Sequence, residues 1–129
     1  MHKVRITVVR KTEYPDLMAQ YENPIQHACD LVVGQSWISE NGERPEGLCE
    51  SAWGSMREFV ESLAEGKGNF FDGWMKNPMS AMISCNDGFR PVSFYLELIT
   101  MAYRLSSLSG VSISLAWETR CLKASGVGS

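Results

Sequence analysis

Residues 49–65 read Cys49-Glu-Ser-Ala-Trp53-Gly-Ser-Met56-Arg-Glu-Phe59-Val60-Glu-Ser-Leu63-Ala64-Glu65. Ala52/Trp53, Met56, Phe59/Val60 and Leu63/Ala64 recur at three- and four-residue intervals, while Glu50, Arg57, Glu58 and Glu61 take the other side. That period belongs to an amphipathic helix with one face to bury. Pro45 and Gly47 stand before it and Gly66-Lys67-Gly68 after it, the latter suited to a left-handed helix end. The spacing predicts that Trp53, Met56, Val60 and Leu63 pack against a sheet.

The sheet is read from the flanks. Val4, Ile6 and Val8 alternate with Lys3, Arg5 and Thr7, the period-2 signature of a half-buried strand. Between Pro15 and Pro24, residues 16–22 have room for about two turns of helix. A short strand is expected over residues 35–39, followed by an Asn41-Gly42 turn. Ala81, Ile83 and Cys85 alternate again, as do Val92, Phe94, Leu96 and Leu98, and the turn-rich link Asn86-Asp87-Gly88-Phe89-Arg90-Pro91 makes the pair a hairpin. The expected fold is α+β: a small antiparallel sheet packed by one main helix, in the order β-β-α-β-β.

Residues 1–100 are read as the domain and 101–129 as a C-terminal extension. Residues 104–129 hold seven serines and one acidic residue, Glu118, so the texture differs from that of the domain. Leu105, Leu108, Val111, Ile113, Leu115 and Trp117 are apolar enough to seek burial, against a partner chain or a sheet edge. The extension is therefore expected to mediate a homo-oligomer or a protein partnership, with residues 1–100 folding without it.

The chain has 129 residues, 44% of them hydrophobic and 21% charged, which fits one ordinary globular domain. Twelve Lys and Arg against fifteen Asp and Glu give a net charge of -3, without the basic footprint of most nucleic-acid or anionic-membrane binders. There is no apolar run long enough to span a bilayer, and Met1-His2-Lys3 leads straight into the first strand pattern. The expectation is a cytoplasmic protein with neither a nucleic-acid nor a membrane partner. The four cysteines, Cys29, Cys49, Cys85 and Cys121, are widely scattered, unlike a secreted disulfide framework.

Two stretches, Pro45-Glu-Gly-Leu-Cys49-Glu-Ser-Ala52-Trp53 and Cys85-Asn-Asp87-Gly88-Phe-Arg90-Pro91-Val92-Ser-Phe94, resemble the motifs of a small bacterial and archaeal family labelled as an uncharacterised repeat protein. Cys29 with Gly34 and Trp37 fits a third feature of that family, so the resemblance runs over about residues 3–99. It implies a domain boundary near Ile99 and no particular chemistry.

Three readings of Cys29, Cys49 and Cys85 stand side by side. They are small buried hydrophobes. They form, with His27, a sulfur-rich set for zinc, although no Cys-x2-Cys pair supports it. Or Cys49, at a helix N-terminus that favours a thiolate, is a reactive or catalytic thiol, with Cys29 or Cys85 as its resolving partner. Asp87 and Arg90 either bind an anionic ligand or close the hairpin turn on itself. Trp74, in a loop, is a candidate for a ligand or partner surface. The dinucleotide, Walker, Gly-x-Ser-x-Gly and His-Glu-x-x-His signatures do not occur. The preferred reading is a non-catalytic binding or accessory module. The alternative is a small thiol-dependent redox protein or enzyme.

Overall fold

The computed structural model describes residues 1–24 and 29–99. The expectations placed on His27, on Cys121 and on residues 101–129 lie outside them. Within them the chain is α+β. Strands β1 (Lys3–Lys11), β2 (Ser36–Ser39), β3 (Ser80–Ser84) and β4 (Val92–Ile99) and helices α1 (Pro15–Tyr21) and α2 (Glu50–Ala64) follow in the order β1-α1-β2-α2-β3-β4. The strands form one antiparallel sheet in the spatial order β2-β1-β4-β3. The five-element order expected from sequence lacked α1, which occupies the two turns allowed between the prolines.

The alternation of β1 becomes the core. Val4, Ile6 and Val8 pair with Leu98, Leu96 and Phe94 of β4, and Ala81 of β3 lies opposite Leu96 on the same face. All of these except Leu98 are fully or almost fully buried. Helix α2 lies over this face with Ala52, Met56, Val60, Leu63 and Ala64 buried against it. Each large side chain buried there contributes about 1.5–3 kcal/mol relative to exposure. Trp53, expected in the core, is only half-buried and packs at its margin. The inner stripe runs through Ala52, one residue away, because at 100° per residue Ala52, Met56 and Val60 share a line that Trp53 leaves.

The end of α2 is built by the glycine that follows it. Gly66 adopts φ +83° and donates to the Leu63 carbonyl, while the Lys67 N–H reaches back to Ser62. This is the paired closure that satisfies the last helical carbonyls. His2 donates its backbone N–H to the carbonyl of Ala64 and so fixes the start of β1 on the helix end. Asn41 and Gly42 both have positive φ, 58° and 70°, and the Glu43 N–H closes the turn on Glu40. Among the described residues no helix is long and apolar enough to cross a membrane.

Candidate functional site

Three segments far apart in sequence converge beside the N-terminus of α2. They are residues 29–31, residues 44–50 and the β3–β4 loop, and they enclose an open cleft of about 920 Å³. Cys29, Cys49, Asp87 and Arg90 all line it, together with Asp30, Leu31, Arg44, Gly47, Leu48 and Glu50. Its volume is in the range of small-molecule sites.

Each wall has its own support. Lys11, at the end of β1, donates from Nζ to the carbonyls of Leu31 at 2.7 Å and Cys29 at 3.3 Å, tying that segment to the sheet. Leu31 and Leu48 reach down into the core and anchor the floor. Cys49 is the N-cap of α2, and its thiol makes no capping bond to the helix. It is exposed, as is Cys29, and both are free thiols. Arg44 approaches the Leu48 carbonyl at 3.5 Å and the Glu50 carboxylate at 3.7 Å across the helix entrance.

The hairpin loop separates the two residues that sequence had grouped. Asp87 accepts the backbone N–H groups of Phe89 at 2.8 Å and Arg90 at 3.1 Å through Oδ1, which makes it the turn-former. Arg90 turns its guanidinium away to Glu22, donating from Nη1 to Oε2 at 2.9 Å. That hydrogen bond raises the Arg90 pKa above its ordinary value; desolvation opposes the rise, and the Glu22, Asp87 and Glu13 charges reinforce it. The cleft thus combines two cations engaged by carboxylates, two exposed thiols and an apolar floor.

Cys85 is not part of this cleft. It is half-buried at the mouth of the hairpin, where its Sγ accepts the Val92 N–H at 3.3 Å and its own N–H donates to the Val92 carbonyl at 3.0 Å. Cys29 and Cys49 line the cleft, and Cys85 does not. Among the described residues no group of three His, Cys, Asp or Glu side chains is placed to hold a metal ion, so Cys29, Cys49 and Cys85 do not form the expected zinc set by themselves. Trp74 does not line the cleft either. It is exposed in a separate loop, its ring edge-on to Phe71 at 5.2 Å, with Phe71, Phe70 and Phe59 forming an aromatic chain.

Sequence reading missed Arg44, Asp30 and Glu22. Arg44 precedes the Pro45-Glu-Gly-Leu-Cys49 entrance and was discoverable as the cation nearest that helix start. Glu22 carried no signal, because only the fold brings it to Arg90. Comparison of the chain with protein-family models, with curated proteins and with solved structures finds no match in any of the three.

Proposed function

We propose that the chain is a small non-catalytic binding or accessory module that takes its ligand in the cleft at the N-terminus of α2. The observation that carries this reading is convergence: Cys29, Cys49, Asp87 and Arg90, drawn from three distant segments, line one concavity with an apolar floor. Concave sites with a few converging polar groups are where small ligands bind. A fragment screen by amide chemical-shift perturbation tests it. Binding fragments should shift residues 29–31, 44–50 and 87–90, and hits confined to Phe71 and Trp74, or none at all, would remove the cleft from consideration.

A thiol-dependent role is the second reading, favoured by two exposed free thiols, Cys29 and Cys49, on the walls of the same cleft. Cys49 is its nucleophile and Cys29 its partner. Loss of a measurable thiol–disulfide exchange rate on Cys49→Ser, with the rate kept on Cys85→Ser, is the expected result. The resemblance to the uncharacterised repeat proteins and a cytoplasmic setting accord with either role.

A further inference from the structure

Four rings form a ridge along one side of α2. Phe59 of α2 and Phe70 pack on the core, Phe71 continues outward from Phe59 at a ring separation of 6.4 Å, and Trp74 stands edge-on to Phe71. Phe71 is 74% exposed and Trp74 42%. The backbone is bent to hold them there. Asn69, Phe71 and Asp72 have φ of 53°, 53° and 52°, in the left-handed region where a bulky residue such as Phe71 is an outlier. The bend is fixed by the N–H groups of Asp72 and Gly73, which donate to the carbonyl and the side-chain oxygen of Asn69 at 3.1 and 3.0 Å. Strain of this kind collects at contact sites. Its result here is an aromatic ring held away from the core and, among the described residues, left largely uncovered.

The chain leaves the described fold beside this ridge. Ile99, the last residue of β4, pairs with Lys3, next to the bond from His2 to the end of α2. The Leu98 N–H donates to the Met79 carbonyl and the Asn69 N–H to that of Pro78, so two backbone bonds join the end of β4 to the loop that carries Phe71. Residues 101–129 follow. Their apolar positions, Leu105 to Trp117, lie six to eighteen residues past Ile99, a reach of about 20 to 60 Å of extended chain. The charges are complementary too. Residues 101–129 carry Arg104, Arg120 and Lys123 against Glu118, in a chain whose net charge is -3. Beside the ridge, Glu58 and Asp72 are exposed and enter no ion pair among the described residues, with Lys76 the opposing charge on that loop.

We propose that the Phe71–Trp74 ridge is the docking surface of the chain's own C-terminal segment, residues 101–129, which turns back from the end of β4 and lays apolar side chains from Leu105 to Trp117 over the two rings. The contact removes apolar surface from water on both sides at once. Because the chain exits beside the ridge, the encounter is intramolecular and runs at the effective concentration of a short linker. An outside partner of similar apolar content has to compete with that. Arg104, six residues or fewer from β4, is the cation placed to meet Glu58 or Asp72. This surface is separate from the cleft and goes beyond the binding role proposed for it.

Photo-crosslinking in the full chain tests the docking. With Phe71 replaced by p-benzoylphenylalanine, irradiation should join position 71 to peptides of residues 101–129 within a product of monomer mass, 14.4 kDa. The same group at Tyr21, 69% exposed at the hairpin end of the sheet, should give no such link. Phe71→Gly removes the ring and also relieves the left-handed strain at that position, so the domain is expected to keep its fold. Amide exchange at residues 105–117 should then quicken by about tenfold or more, with α2 protection unchanged. Links from position 71 into a second chain, links to residues 101–129 that are as strong from position 21, or no link to that segment each overturn the proposal. So does exchange at residues 105–117 that Phe71→Gly leaves unaltered. If α2 protection is lost in that variant, the cross-link alone decides.

Discussion

Arg90 and Glu22 meet at 2.9 Å across sixty-eight residues of sequence, with both side chains less than a fifth exposed. The pair ties the end of α1 to the β3–β4 loop. Helix α1 buries no residue of its own, so its position rests on this ion pair and on backbone bonds from Thr12 to Pro91 and from Tyr14 to Phe89.

Glu22→Gln should therefore loosen α1 without unfolding the sheet. The expected outcome is faster amide hydrogen exchange at residues 16–21, with β1 and β4 protection unchanged. Protection of α1 equal to that of the wild type would show that the backbone bonds alone hold it.

Phe94 and Trp53 should respond differently to truncation. Phe94 of β4 is fully buried in the core between the sheet and α2, so Phe94→Ala is expected to lower unfolding free energy by about 3–5 kcal/mol. Trp53, at the core margin, should lose about 1–3 kcal/mol, the range of ordinary destabilising substitutions. Urea titration of both variants measures the order, and a larger loss at Trp53 would contradict its marginal placement.

The thiols should separate by accessibility. Cys29 and Cys49 are exposed whereas Cys85 is half-buried with its sulfur engaged by Val92, so iodoacetamide under native conditions should label the first two before Cys85. Mass spectrometry of the labelled peptides reports the order. Prior labelling of Cys85 would mean that the hairpin mouth opens readily.

Gly68 offers a fourth test. A methyl group there would run into the Pro78 carbonyl and the Met79 sulfur, where the chain doubles back so that Asn69 can donate to Pro78 at 2.6 Å. Gly68→Ala should destabilise by about 1–3 kcal/mol as an overpacking substitution. Gly88→Ala, with open space at that position, serves as the control and should leave the thermal midpoint nearly unchanged.

Much of the fold was legible because its periodicities are clean. Val4, Ile6 and Val8 announce one sheet face, and Met56, Val60 and Leu63 one helix face, since solvent exclusion acts on every second or every third to fourth residue. Trp53 stands one position off the buried line, which the smaller Ala52 occupies, and so packs on the core from its margin. In the site, Cys29, Cys49, Asp87 and Arg90 could be nominated singly by residue type, but their convergence is a product of chain topology, which no local pattern encodes. The separation of Asp87 from Arg90 shows the same limit: the turn was written in Asp87-Gly88, while the destination of the guanidinium depended on Glu22.

The strand order carries a consequence for synthesis. β1 and β4 are neighbours at the middle of the sheet yet stand at opposite ends of the described sequence. A ribosome must therefore release nearly a hundred residues before Val4, Ile6 and Val8 meet Leu98, Leu96 and Phe94. Until then an apolar strand waits with only β2 available beside it. Long-range pairing of this kind folds slowly, and unpaired strands are the species that aggregate. The nascent chain is thus most vulnerable in the interval before β4 emerges, when a chaperone that shields short apolar segments has the most to protect.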